Sequence, residues 1–115
     1  MPSQLFSSAE LSPGEMRAVE SDGTRLVIIR TSDGGLFALR DTCSHYGAPL
    51  SKGVLERKVI GDVPGTYELG DTYIVRCPWH RFEFDVETGE CPLDRRQRVR
   101  AYRVAERDGY VYLED

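Results

Sequence analysis

Apolar positions along this chain come in short runs broken by turn residues, and nowhere do they recur at helical spacing over a long stretch. Glu15 to Val19 and Leu26 to Thr31 flank Ser21-Asp22-Gly23, an Asp-Gly signal for a tight hairpin. Asp33-Gly34-Gly35 then turns the chain into Leu36 to Arg40, so these three segments read as an antiparallel meander. Ser8 to Gly14, with Ser12-Pro13-Gly14, reads as an irregular piece or a single helical turn. Val54 to Ile60 is expected to pair with Thr72 to Arg76 across Gly61 to Gly70, where Asp62, Pro64 and the glycines favour turns. Phe82 to Val86 alternates apolar and acidic residues as a half-buried strand does, and Glu87-Thr88-Gly89 turns it back. Arg98 to Val104 and Tyr110 to Leu113 close the chain as a hairpin through Asp108-Gly109. The pattern predicts an all-β fold, an antiparallel β-sandwich or small barrel, without repeat or linker.

Length adds that this is one domain, 1–115, large enough to bury roughly two-thirds of its unfolded surface. With 40% apolar and 30% charged residues the composition is that of a soluble globular chain. No apolar run approaches the ~20 residues of a membrane helix, and the start MPSQLFSSAE carries no export signal, so the expectation is a cytoplasmic protein without membrane contact. The net charge of -4 argues against nucleic acid as a partner. Arginines do gather late, at Arg95, Arg96, Arg98, Arg100, Arg103 and Arg107, diluted by Asp94, Glu106 and Asp108. They read as a solvated strand face, with docking to an acidic partner as the alternative.

Chemistry concentrates in two short clusters, Cys43-Ser44-His45 and Cys77-Pro78-Trp79-His80. Each sets a thiol and an imidazole within three residues, close enough for one turn of backbone to aim both at a single metal site. Leu36 to Leu39 and Tyr73 to Val75 would deliver both clusters from strand ends. Two cysteines and two histidines, one of each per half, suit a [2Fe-2S] centre with sulfur on one iron and nitrogen on the other. They also suit tetrahedral zinc, and a Cys-His pair can serve a thiol enzyme. Cys91 is left over, and reads as a partly buried small apolar residue beside Pro92, since both histidines of the chain lie in the two clusters.

The run CSHYGAPL from Cys43 to Leu50, Gly53, CPWH from Cys77 to His80 and FEFDVETG from Phe82 to Gly89 together resemble the Rieske-type iron-sulfur domain, in particular soluble Rieske ferredoxins and the Rieske domains of ring-hydroxylating oxygenases. The resemblance implies a Rieske-like sandwich whose cluster-binding part, about 41–91, is formed by two ligand loops. It implies a Rieske-type [2Fe-2S] cluster held by Cys43, His45, Cys77 and His80. Thirty-one residues separate His45 from Cys77, more than is usual in the family, and the surplus reads as an inserted loop or hairpin about 57–71 concerned with partner recognition. Gly47, Gly53, Pro49 and Pro78 would shape the ligand loops. Tyr46, Leu50 and Trp79 would form an apolar collar around the histidine edges, unless Trp79 simply fills the space between the loops.

Two thiolates and two neutral imidazoles cancel the +2 charge of an oxidised two-iron, two-sulfide core, so such a centre accepts an electron more readily than a four-thiolate one, in the range of about -150 to +300 mV. High-potential members of the family add a disulfide between the loops and hydroxyl donors. The matching places here are Ala48, Trp79, Phe82 and Phe84, which implies a potential near the low end. With both histidines used, no mononuclear 2-His-1-carboxylate iron fits in this chain, and no dinucleotide or phosphate-loop motif is present. The expectation is therefore not an enzyme by itself but a one-electron carrier between a reductase donor and an oxygenase or other redox acceptor. The alternative is a small subunit bound tightly to a larger oxidoreductase, as in nitrite reductases.

Overall fold

The computed structural model describes residues 3–42, 49–60, 68–78, 83–91 and 97–114. In chain order the strands are β1 (Ser3–Ser7), β2 (Glu15–Ser21), β3 (Thr24–Arg30), β4 (Leu36–Arg40), β5 (Val54–Ile60), β6 (Glu68–Arg76), β7 (Glu83–Asp85), β8 (Ala101–Tyr102), β9 (Val104–Arg107) and β10 (Tyr110–Leu113). Short 3₁₀ turns cover Ser8–Glu10 and Leu50–Lys52. Among the described residues every strand pairing is antiparallel, in three sheets ordered β1-β10-β9, β2-β3-β4-β8 and β5-β6-β7. The all-β, antiparallel expectation is met.

The β2-β3-β4-β8 sheet is the middle layer, because β3 is buried along nearly its whole length. Val27, Ile29 and Leu39 point to one side, where they join Val75, Cys77 and Phe84 of the β5-β6-β7 sheet. Leu26, Ile28 and Ala38 point to the other, against Phe6, Val111 and Leu113 of the β1-β10-β9 sheet. A strand apolar on both faces is what a central layer requires. Each of these fully buried aliphatic side chains contributes about 1.5–3 kcal/mol of transfer free energy. Arg30, at the end of β3, reaches across to β9 with a two-pronged ion pair, its guanidinium donating to the two Glu106 oxygens at 3.2 and 2.7 Å.

The two Asp-Gly hairpins form as read. Asp22 and Gly23 have φ of 50° and 80°, and Asp108 and Gly109 have 51° and 81°, the doubly positive pair that a two-residue turn between right-twisted strands demands. Between β3 and β4, Thr31 donates its amide to the Gly35 carbonyl and Gly34 takes a φ of 93°.

Three boundaries differ from the sequence reading. The expected strand Arg98 to Val104 is broken. Arg98 bridges to Glu90, Ala101 and Tyr102 extend the middle sheet beside β4, and after Arg103 the chain crosses to the outer sheet, so the hairpin partner of β10 is Val104–Arg107. A continuous strand could not serve two layers at once. Second, β6 begins at Glu68, where a turn was expected through Gly70, because Val59 and Ile60 pair with Leu69 and Glu68 beyond an irregularity at Arg57/Val59. Third, β1 was not anticipated; Ser3–Ser7 is ordered by pairing with β10 from the far end of the chain, a contact no local pattern reveals. The span about 57–71 is thus two strand arms of a hairpin, and its tip, 61–67, lies outside the described residues.

Candidate metal centre

Cys77 directly follows β6 and is 1% exposed, a reduced thiol packed in the core with Val75 and Phe84. The next residue, Pro78, is exposed, so position 77 marks where the chain leaves the dry interior. Just before it, Arg76 donates a hydrogen bond to Glu83 at 2.9 Å and forms an ion pair with Glu56 at 2.6 Å. Since Arg76 lies opposite Val54 and Glu83, one guanidinium ties all three strands of its sheet at the Cys77 end. The hydrogen bond to Glu83 first, then the charges of Glu56 and Glu83, raise its pKa further above its ordinary value.

The first cluster leaves from β4. Cys43, His45, Tyr46, Gly47 and Ala48 lie outside the described residues, but both stems of their loop are on view. Asp41 is 2% exposed and accepts from the Ser51 amide at 2.7 Å and from the Ser51 hydroxyl at 2.7 Å. Its own amide donates to the Arg25 carbonyl at 2.9 Å, which continues the middle sheet one residue past β4. On the return side, Lys52 and Gly53 donate to the Pro49 and Leu50 carbonyls and close the 3₁₀ turn.

Gly53 then joins the two loops. A Cβ placed there would sit 1.9 Å from the Arg76 carbonyl oxygen, so only glycine lets the first loop's exit lie against the residue preceding Cys77. The linkage runs Asp41 to Ser51, Gly53 to Arg76, and on to Cys77, which brings the stem of Cys43-Ser44-His45 to the stem of Cys77-Pro78-Trp79-His80. The second loop returns through β7 to Gly89, whose φ is +78° and whose missing Cβ would lie 2.0 Å from the Val99 carbonyl oxygen.

Several sequence expectations meet the structure here. Leu50 is not part of an exposed collar; it is fully buried in the core, because the 3₁₀ turn packs it inward among Val75 and Cys77. Tyr46, Trp79, His80 and Phe82 lie outside the described residues. Phe84 is fully buried and offers no hydroxyl. Cys91 is buried more completely than expected, a reduced thiol inside the same core cluster. Asp41 and Ser51 were not singled out from the sequence, and no local signal marks them, since their pairing exists only after folding. Another cross-link of this kind joins the Tyr73 and Ser32 hydroxyls at 2.6 Å, fastening β6 to the turn after β3. A shallow hollow nearby holds Asp33, Asp85 and Glu87. It is turn structure, because Asp85 accepts from the Glu87 and Thr88 amides at 2.8 and 3.2 Å.

Residues 2–103 match the family described as the Rieske [2Fe-2S] domain. The chain belongs to that family. Its cofactor is a Rieske-type [2Fe-2S] cluster. Among curated relatives, the 3-phenylpropionate/cinnamic acid dioxygenase ferredoxin subunit of Photorhabdus laumondii is 33% identical over 114 residues, covering 96% of this chain and 93% of that protein. Apoptosis-inducing factor 3 of mouse and human is 37% identical over 81 residues, covering 70% of this chain; the match spans only 11% of the length of those proteins. Among solved structures, the ferredoxin of carbazole 1,9a-dioxygenase from Nocardioides aromaticivorans IC177 superposes with a TM-score of 0.78 at 27% identity, covering 98% of this chain and 96% of that one.

The described part of this Rieske domain fits the cofactor. A reduced, buried cysteine stands at the mouth of one loop, as an unpaired sulfur donor must. The stems of the two clusters are held against each other by backbone contact, as a group bridging them requires.

Proposed function

We propose that this Rieske domain is a one-electron carrier, with Cys43 and Cys77 on one iron and His45 and His80 on the other. When bound, the cluster supplies reversible one-electron exchange, and the chain's own groups hold it, tune it and present it. The observation that supports the reading is the joined pair of loop stems, Asp41 on Ser51 and Gly53 on Arg76, which brings together the strand ends from which the two Cys-His clusters leave. Phe84, buried where a hydroxyl donor would stabilise an added electron, supports a potential near the low end of the Rieske range.

The chain acts as a single domain, 1–115, and passes electrons from a reductase to an oxygenase or similar redox enzyme. The likeness to the ferredoxin subunit of one dioxygenase over nearly the full length of both chains supports these partners. No helix of the described residues is long and apolar enough to cross a membrane, which supports a cytoplasmic carrier. The hairpin arms of β5 and β6, reaching beyond the ligand stems, serve partner recognition. Replacing 57–71 by a short glycine bridge should then spare the cluster and weaken transfer to the partner.

Electron paramagnetic resonance of the dithionite-reduced protein, with iron and sulfide analysis, tests the reading. We expect a rhombic signal from one two-iron centre per chain. A colourless protein carrying one zinc ion would overturn it. Recovery only as a tight complex with a large oxidoreductase would make the chain a fixed subunit in place of a diffusing carrier.

A further inference from the structure

A carboxylate taken out of water is costly unless donors surround it, and an apolar side chain of similar size usually packs at lower free energy. Asp41 nonetheless sits in the interior with its side chain wholly shielded. One oxygen accepts the Ser51 amide and the other the Ser51 hydroxyl, both at 2.7 Å, so each oxygen meets a donor. Arg25 stands 3.8 Å away, but its side chain is 62% exposed and its attraction is screened by water. Among the described residues, the hydrogen bonds of the Asp41 side chain are directed at one residue, Ser51. That residue is the far stem of the first ligand loop: the bonds close residues 42–50, a span of nine, between the end of β4 and the 3₁₀ turn.

We propose that Asp41 is the positioning residue of the first ligand loop, clamping its two ends through Ser51 so that Cys43 and His45 are presented together before the cluster binds. The inference rests on the reading that these two residues are ligands. Closing a loop in advance removes ordering entropy from the binding step, so the clamp slows cluster loss more than it stabilises the fold.

The test loads Asp41→Ala, Ser51→Ala and the wild type with cluster, and measures iron release to a ferrous chelator and the thermal midpoint of the metal-free protein. Thr31→Ala is the control. Thr31 is fully buried at the opposite end of β3 from Arg25 and gives its hydroxyl to the Asp33 carboxylate, with the Gly35 carbonyl 3.3 Å from the same oxygen, away from the ligand loops. We expect iron release about tenfold faster in Asp41→Ala and several-fold faster in Ser51→Ala. Thr31→Ala should lower the metal-free midpoint without hastening release. Release from Asp41→Ala at the wild-type rate, or equal release from Thr31→Ala, would reduce Asp41 to an ordinary fold-stabilising residue and overturn the proposal. A wild type without the two-iron signal would instead sink the carrier reading, and the clamp with it.

Discussion

The two faces of the middle sheet are built by different means. On the side of β1, β9 and β10, strand pairing and interleaved apolar residues set the geometry, with the tight Asp108-Gly109 turn joining β9 to β10 and β1 paired to β10 from the other end of the chain. On the side of β5, β6 and β7, the ligand loops are held by polar and steric contacts that close each loop and join one to the other: Asp41 with Ser51, Gly53 with Arg76, Gly89 with Val99. Glycine shows the contrast well. Gly109 has a φ of +81° and open space where a Cβ would go, whereas Gly53 has ordinary backbone angles and a carbonyl oxygen 1.9 Å from that position. The first is needed for a conformation and the second for proximity. A framework can be assembled from turns and strand pairing, but a binding site between two loops also needs specific steric and polar contacts across the loops.

The largest effect should follow from emptying the ligand-side core. Phe84→Ala removes a fully buried ring packed in the cluster that contains Cys77, and should cost about 4 kcal/mol in urea unfolding. Ile28→Val, a single methyl on the opposite face, should cost only about 1 kcal/mol. Phe84→Ala should also lower iron content, whereas Ile28→Val should leave it intact. Equal iron loss in both would mean the faces are not separable.

Next in size is the glycine pair. Gly53→Ala must push the first loop's exit off the Arg76 carbonyl, which should cost about 3 kcal/mol and reduce cluster assembly in iron analysis. Gly109→Ala keeps its space and suffers only the left-handed backbone, about 1–2 kcal/mol, with normal iron content. Unchanged cluster assembly in Gly53→Ala would show that the stems need no backbone contact.

The smallest effect lies in the ion pair that fastens β3 to β9. The Arg30 guanidinium lowers the Glu106 carboxyl to about 2 from an ordinary 4.5. A carboxyl depressed in the folded state stabilises above its unfolded pKa and loses that contribution as pH falls from about 4.5 towards 2. Because the Glu106 side chain is 40% exposed, solvent screening limits the effect to about 1 kcal/mol. Chemical denaturation of wild type and Glu106→Gln at pH 6 and pH 2.5 should show a gap at the higher pH that narrows at the lower. Parallel curves would mean the pair contributes nothing measurable.

Much of the framework was legible in the residues. Asp22-Gly23 and Asp108-Gly109 name their turns because few residues tolerate positive φ, and β3 announces a central strand by its unbroken apolar run. The Cys-His clusters declared their chemistry by residue type and spacing alone. Less legible was anything decided at a distance. Ser3–Ser7 looks featureless until β10 lies beside it. Leu50 reads as an apolar residue near a ligand loop, equally fit for surface or core, until the 3₁₀ turn carries it inward.

The sequence by itself determined an antiparallel β domain and four candidate ligands in two matched clusters, because turn chemistry, alternation and donor type are properties of neighbouring residues. Only the tertiary structure decided that Asp41 faces Ser51, that Gly53 lies on the Arg76 carbonyl, and that Cys77 stands at the edge of a closed core. Those are distances between segments brought together by burial of both faces of one sheet, and no local pattern encodes them.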